Sequence, residues 1–417
     1  MGRSDLKGAC GRRALFAVRA APAPLVCLLA LLLAGCALGP KEPDMPRLTL
    51  TPLAFTDLPG WGEAPLAPAL SAFRRSCASM AARPPESALG DPALPYGRIA
   101  DWAPACAAAT ALPDPSDEAV ARAFFETLFA PWRLADGAER TGLFTGYYEP
   151  ELTGARVADA FHAVPLHARP ADLVSVELGA FRDSLKGERI AGRVVDGRLV
   201  PYATRSELLG PASPAPALVY VDDPVDAFFL HIQGSGRVRL SDGEVVRVAY
   251  DGQNGHPYTA IGRSLIARGA LTPETVSMQT IRAWLAAHPD EAPALMNENR
   301  SYIFFRLEAI EDESLGARGA AGVPLTPEAS LAVDPRFLAY GVPVFVDTTR
   351  PAEDEGPDVP FRRLLVAQDT GGAIRGVVRG DVYWGFGPRA AAIAGRMKHA
   401  GEAHVLLPRG LRPVTDE

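Results

Sequence analysis

From residue 217 onward the sequence is cut into short runs rich in β-branched and aromatic residues, each bounded by Gly, Pro or Asp. These are ALVYVDD (217–223), AFFLHIQG (227–234), VVRVAY (245–250), SYIFFRL (301–307), VPVFVDT (342–348), RRLLVAQD (362–369) and HVLLP (404–408). Such runs read as strands, and closely spaced short strands suggest barrels. No repeat of about 20 to 50 residues points to a solenoid. Helical signals are fewer. Residues 116–129 (SDEAVARAFFETLF) open on Ser116 as a cap and set Val120, Phe124 and Leu128 on one face, with Phe125 and Phe129 beside them. That stripe reads as core. A second helix is expected to start at Thr272-Pro273-Glu274 and to carry Met278, Ile281 and Leu285 inward. The expected fold is mainly β with peripheral helices.

With 48% hydrophobic and 22% charged residues over 417 positions, the chain is long enough for two domains and too apolar to be disordered. Its formal charge is −7, yet Arg3, Lys7, Arg12, Arg13 and Arg19 all precede residue 36, against Asp5 alone. Without that segment the 42 basic and 49 acidic residues become 37 and 48, a net charge of −11. Nucleic acid is therefore disfavoured as a partner, because its binding depends on neutralising phosphates.

The basic segment runs into an apolar core of ten residues, Leu25 to Ala34, a signal-peptide length too short to span a bilayer. It ends in Leu33-Ala34-Gly35-Cys36, which resembles a bacterial lipobox in which Cys36 is lipidated and becomes the first residue of the mature chain. A plain secretory signal with a chance cysteine is the other reading. In Gram-negative lipoproteins an aspartate at the next position usually signals inner-membrane retention, so Ala37 points to an outer membrane lipoprotein facing the periplasm. Acyl chains contribute roughly 0.8 kcal/mol per buried CH₂, so several on one cysteine anchor without a transmembrane helix. Cys36→Ser is expected to give an unanchored or unprocessed protein on membrane fractionation. The proline-rich residues 36–60 are expected to be a tether.

Cys10 and Cys27 leave with the leader, so Cys77 and Cys106 stand alone in the mature body. An oxidising compartment favours a disulfide between them, and a closed loop of that length would contribute roughly 3–4 kcal/mol. Two buried thiols are the alternative. Neither cysteine has a partner histidine or a CxxC spacing, so no metal or redox role is expected.

Several chemistries lack their signatures. There is no GxxxxGK[ST] and no HExxH, and GSGR at 234–237 lacks the third glycine of a dinucleotide loop. Gln233-Gly234-Ser235-Gly236 does not fit a nucleophile elbow, which needs glycine at 233 and 237. Asp369-Thr370-Gly371 has the tripeptide of an aspartic protease, but that chemistry needs two carboxylates sharing a proton. Val346-Asp347-Thr348-Thr349 lacks the glycine that a second copy requires.

Motifs spread along the chain carry a more specific signal. In order they are Phe144-Thr145-Gly146-Tyr147-Tyr148-Glu149-Pro150; His231-Ile232-Gln233-Gly234-Ser235-Gly236; Tyr250-Asp251-Gly252-Gln253-Asn254-Gly255; Asn297-Glu298-Asn299-Arg300-Ser301-Tyr302; Val333-Asp334-Pro335; Ala367-Gln368-Asp369-Thr370-Gly371-Gly372-Ala373-Ile374; and Gly380-Asp381-Val382-Tyr383. With them the sequence resembles, over most of the mature chain, the membrane-bound lytic transglycosylase A family, whose C-terminal portion carries the three-aspartate domain. The resemblance implies cleavage of the β-1,4 bond between N-acetylmuramic acid and N-acetylglucosamine in peptidoglycan, leaving 1,6-anhydromuramoyl ends. It also implies a double-psi β-barrel domain, with helices at its N-terminal part, from residues 61–150 and 286–417. A smaller β-barrel-like domain is expected at 151–285, with the glycan strand in the groove between the two. Asp381 matches the catalytic acid, and Asp369 and Asp334 match the other two aspartates. The implied partners are glycan strands, the membrane through Cys36, and envelope or cell-wall synthesis proteins. No metal or organic cofactor is implied.

One acid suffices on chemical grounds. Hydrolytic glycosidases generally use two carboxylates, because water or a covalent intermediate must be handled as well as the leaving oxygen. When the sugar's own 6-hydroxyl attacks, the nucleophile is already attached, an advantage of roughly 7–11 kcal/mol when well oriented. Leaving and attacking oxygens share one face of the anomeric carbon, so Asp381 can protonate the first and deprotonate the second. That demands a carboxyl pKa above the usual value of about 3.9. Burial beside Tyr383, Trp384 and Phe386, with Asp369 charged nearby, would supply it.

Asp369 reads equally as electrostatic help or as a structural acceptor of backbone N–H bonds, whereas Asp334 before Pro335 reads more as structural. Thr145, Tyr147, Gln233, Ser235 and Trp384 are candidates for substrate contact or for satisfied core positions. Gly234 and Gly236 mark either close approach to a glycan or a simple bend. Two other functions remain open: a non-catalytic peptidoglycan-binding lipoprotein and a hydrolytic murein glycosidase, which would leave reducing ends. A plain hairpin at Gly371-Gly372 would hold Asp369 and Asp381 far apart, so their convergence rests on the crossed barrel topology.

Overall fold

The computed structural model describes residues 46–185, 187–353 and 356–413; the expected leader and the expected lipidation site at Cys36 fall outside them. The described chain opens on β1 (Leu48–Pro52), followed by α1 (Ala67–Ala81), α2 (Ile99–Ala111), α3 (Glu118–Leu128), β2 (Phe129–Asp136) and β3 (Gly142–Glu149). β1 pairs antiparallel with β2 from Leu48 opposite Asp136 to Pro52 opposite Trp132. The segment expected as tether is thus already sheet by residue 48. The alternation in LTLTP, which buries Leu50, outweighs the prolines around it.

Asp117, one residue past the expected Ser116, caps α3, accepting from the amides of Ala119 at 2.8 Å and Val120 at 3.2 Å. Ser116 instead bonds Asp114. The buried Phe124 and Phe125 of α3 meet Phe73 of α1, Trp102 of α2 and Phe129 in one cluster of rings. Cys77 of α1 and Cys106 of α2 are joined in a disulfide across 29 residues of sequence. Replacing both with serine should lower the unfolding free energy by about 3–4 kcal/mol, read as a lower urea midpoint.

After β3 the chain leaves for an insertion: β4 (Glu151–Ala155), β5 (Val164–His167), β6 (Val174–Glu177), β7 (Arg189–Val195), β8 (Arg198–Pro201), α4 (Arg205–Leu208), β9 (Ala217–Val221), α5 (Pro224–Gln233), β10 (Gly236–Leu240), β11 (Val245–Gln253), α6 (Ile261–Ala267), α7 (Met278–Ala287), α8 (Ala292–Glu298) and β12 (Ile303–Ala309). Six of these strands form a sheet in the order β12-β11-β10-β4-β9-β5, and β6, β7 and β8 form a second sheet of three. β12 pairs with β11 over seven positions, so the insertion runs to about residue 309, beyond the expected boundary at 285.

Residues 227–234, expected as a strand, lie in α5 and its end. Asp223 caps that helix through bonds to Val225 and Asp226, Pro224 occupies its first turn, and Gly234, at φ 83°, ends it in the left-handed conformation. This punctuation overrides the strand-like composition of AFFLHI. Ala227 and Leu230 pack into the sheet, while Phe228 and Phe229 pack towards α6, α7 and α8. The helix expected at Thr272 begins instead at Met278, behind Ser277 as cap.

The chain then returns as β13 (Ser330–Val333), β14 (Pro343–Arg350), β15 (Val359–Asp369), β16 (Arg379–Phe386), α9 (Gly387–Ala394) and β17 (Lys398–Pro408). Six strands close into a barrel in the order β3-β17-β14-β15-β13-β16 and back to β3. β13 runs parallel to β15, and β16 runs parallel to β3. β17 closes the ring because its start pairs with β3 and its middle with β14. β13 threads between β15 and β16, so the chain crosses over it after Gly371-Gly372 instead of returning as a hairpin. This is the crossing of a double-psi barrel. The barrel interior is continuous with the core formed by α1, α2 and α3.

Candidate active site

The crossing brings the two aspartates together. Ala332 of β13 is the register partner of Asp369 on one side and of Asp381 on the other. Asp381 in turn pairs with Thr145 of β3, and Thr145 with Lys398 of β17. Residues directly opposite one another on neighbouring strands share a face, so one row of side chains crosses five strands. A bulge puts Asp369 in that row: Leu331 pairs with Ala367, and the next position skips Gln368. The skipped side chain is buried and bonded to Ser330, Ala72 and Ser76.

Within the row Thr145 Oγ1 donates to Asp381 Oδ1 at 2.5 Å, and Arg379 Nη2 donates to Thr145 Oγ1 at 2.8 Å. A guanidinium can only donate, so the Thr145 hydrogen is committed to the carboxylate. Asp381 Oδ2 has no hydrogen-bond partner among the described residues, which leaves it free for a substrate. Asp369 is held more fully, by Tyr147 OH at 2.8 Å on Oδ2 and by the Ala320 amide at 3.0 Å on Oδ1. The Tyr147 and Tyr383 rings stand 5.2 Å apart beside the pair.

Burial pushes the Asp381 carboxyl up to about 6; the Thr145 hydroxyl and Arg379 pull against that rise, and Asp369 adds to it. Burial also raises Asp369, opposed by the bonds from Ala320 and Tyr147. More donors favour the ionised form of Asp369, so the pair's first proton belongs on Asp381.

Asp334 lies apart from this chemistry. Its carboxylate is 1% exposed and accepts from Arg336 Nη2 at 2.6 Å, from Arg336 Nε at 3.0 Å and from the Gly376 amide at 2.9 Å. Burial works to raise its pKa, but these bonds prevail and hold it below the ordinary carboxylate value. It ties the β15–β16 connection to the end of β13 and makes no hydrogen bond to either of the other aspartates.

Trp384 is a correction to the expected substrate contacts. Its ring is 2% exposed, packed on Phe361 at 5.1 Å, and cannot stack on a sugar. Gly234 is accounted for by its left-handed end to α5. Gln233 Oε1 accepts from the Tyr148 amide at 3.1 Å, which fixes the end of α5 against β3. Ser235 is half-buried and makes no hydrogen bond among the described residues.

Two features escaped the sequence reading. Arg379 stands two residues before Asp381 on one strand, and strand alternation would have placed it on the same face. The second is Glu149, which is fully buried at the end of β3. Its Oε1 meets Arg247 Nε at 2.6 Å and its Oε2 meets Arg237 Nε at 3.1 Å. Both arginines belong to the insertion, are paired in register, and also bond the Leu315 carbonyl of the returning chain. Arg237 also lies 3.5 Å over the Phe386 ring of β16. Among the described residues, no three His, Cys, Asp or Glu side chains come together as metal ligands would.

A crossed barrel with an insertion and a row of carboxylates on its wall defines a class, and comparison with known proteins agrees. The family described as "MltA specific insert domain" matches residues 143–306, and "3D domain" matches residues 329–407. Membrane-bound lytic murein transglycosylase A of Vibrio cholerae is 31% identical over 273 residues, 64% of this chain and 66% of that protein. Its namesake from Escherichia coli K12 is 31% identical over 283 residues, 66% of this chain and 68% of that protein. The crystal structure of MltA from Neisseria gonorrhoeae superimposes with a TM-score of 0.73 at 34% identity, covering 89% of this chain and 95% of that one. The chain belongs to the membrane-bound lytic murein transglycosylase A family.

Proposed function

We propose that the protein is a lytic transglycosylase that cleaves the N-acetylmuramoyl-β-1,4-N-acetylglucosamine bond of peptidoglycan without water, with Asp381 as its acid and then its base. The observation that carries this reading is the row from Asp369 to Thr145, with one carboxyl raised to about 6 and one of its oxygens free. The protonated Asp381 gives its proton to the departing glycosidic oxygen. The 6-hydroxyl of the same muramoyl ring attacks the anomeric carbon and returns a proton to Asp381, which restores the acid. Asp369 stays ionised, holds the Asp381 proton in place by repulsion and steadies developing positive charge on the sugar. Tyr147 orients Asp369. Thr145 fixes the carboxyl so that Oδ2 faces the substrate.

Mass spectrometry of the products from isolated sacculi tests the reaction. Muropeptides with 1,6-anhydro ends are expected, and reducing ends would make the protein a hydrolase instead. Thr145→Val tests the local electrostatics. The hydrogen bond it removes favours the ionised carboxylate, so the Asp381 pKa should rise and the alkaline limb of the pH–rate profile should move up by about one unit. Family membership together with the leader ending in Cys36 supports anchorage as a lipoprotein of the outer membrane, facing the periplasm.

A further inference from the structure

The row of side chains that carries the acid ends at a cavity that the reaction itself does not use. Lys398, the register partner of Thr145, lines a cavity of about 470 Å³ together with Gln233, Arg263, Phe229, Ile232 and Ile281. Helices α5, α6 and α7 of the insertion form most of its wall, and Ala394, Gly395 and Lys398 of the barrel close it. The volume is that of a pocket for a small ligand. Its lining is largely aliphatic, with Ile261, Ile266, Val276 and Met278 besides those above, which suits methyl groups better than sugar hydroxyls.

Two cations stand in this apolar wall. Among the described residues neither Lys398 nor Arg263 has a carboxylate within ion-pair distance. Glu274 lies near enough to feel the Lys398 charge without closing a pair. Lys398 is the only lysine among the described residues, and it sits two strands from Asp381. Two strand spacings amount to about 10 Å.

Resting on the transglycosylase reading, we propose that this cavity receives the peptide stem borne by the muramoyl residue, with Lys398 and Arg263 pairing its free carboxylates. The stem leaves the sugar ring whose anomeric carbon lies at Asp381. A lactyl carbonyl followed by one extended residue of about 3.5 Å brings the first free carboxylate to the distance of Lys398. The alanine methyls of the stem meet the aliphatic wall. Glycan stripped of its stems by an amidase keeps only the lactyl carboxylate beside the ring, one residue of about 3.5 Å short of Lys398, and leaves the cavity empty.

Two measurements test this. In the first, the tripeptide L-alanyl-D-glutamyl-diaminopimelate is titrated calorimetrically into the native protein and into Lys398→Glu and Lys398→Met. Salt-sensitive binding to the native protein is expected, at least ten-fold weaker in both variants. In the second, KM is compared between intact glycan strands and strands stripped by an amidase. The native protein should prefer the intact strands, and both variants should lose that preference. Equal peptide binding by native and variant proteins, no peptide binding at all, or an equal loss on both glycans would overturn the stem site. Peptide binding without anhydro products from either glycan would instead leave the stem site standing and sink the transglycosylase reading.

Discussion

Asp381→Asn should abolish the release of anhydromuropeptides, with a fall in kcat of at least about a thousand-fold, while the protein stays folded. General acid–base catalysis by one group is worth roughly 10²–10⁴ in rate, and here a single carboxyl performs both transfers. Asparagine keeps the acceptor for Thr145, so the barrel row is not disturbed. The same substitution carries a stability signature of calculable sign. The folded pKa of about 6 lies above the unfolded value of about 3.9, so folding disfavours the ionised form. For the native chain, the contribution of this group is fully present below about pH 4 and is lost as the pH rises through about 6. Asparagine has no charge to lose. The variant should therefore match the native protein at pH 4 and become the more stable of the two above pH 6, by at most about 3 kcal/mol and less to the extent that solvent reaches the side chain. Urea unfolding at the two pH values and product analysis on the same preparations check both halves. Undiminished turnover would remove Asp381 from the chemistry. A loss of stability at neutral pH would mean that its charge is compensated by groups not identified above.

Local patterns in the sequence were legible where local chemistry decides the outcome. The strands at 217, 245, 342, 362 and 404 followed from β-branched runs closed by breakers, and Asp381 and Asp369 were found as parts of contiguous motifs. The AFFLHIQG segment failed because its composition was read without its ends: Asp223, Pro224 and Gly234 specify a helix. Trp384 failed because an aromatic residue beside a catalytic acid looks the same in sequence whether it faces a cleft or the core. Asp334 illustrates the reverse, since the identity of the residue was legible but its work was not. What it bonds, Arg336 and Gly376, depends on where the β15–β16 connection lands. Least legible was the distance between Asp369 and Asp381. Twelve positions separate them in sequence, and only the insertion of β13 between their strands makes Ala332 a neighbour of both. No period or propensity encodes a strand entering from forty residues away.

Glu149→Ala should cost roughly 3–5 kcal/mol of stability, the largest loss expected from any single polar substitution in the chain. The carboxylate is fully buried at the point where β3 hands the chain to the insertion, and removing it leaves Arg237 and Arg247 as uncompensated charges of 5% and 6% exposure. Their bonds to the Leu315 carbonyl spread the charge without neutralising it. A midpoint lowered in urea by that amount is the expected reading, together with reduced activity, since this cluster fixes the insertion, and with it Gln233 and α5, against the barrel that carries Asp381. The source of the loss can be tested separately. If the penalty is that of stranded cations, replacing all three members by apolar residues of similar size (Glu149→Leu, Arg237→Met and Arg247→Met) should restore most of the stability, because buried ion pairs contribute little net over well-packed hydrophobic groups. Activity should return less completely. An apolar cluster fills the space but cannot reproduce the directional bonds that set the angle between insertion and barrel, and intramolecular attack at the anomeric carbon depends on that angle being right. Full recovery of both would reduce the cluster to packing, and recovery of neither would mean that Glu149 acts on the fold through contacts other than the two arginines.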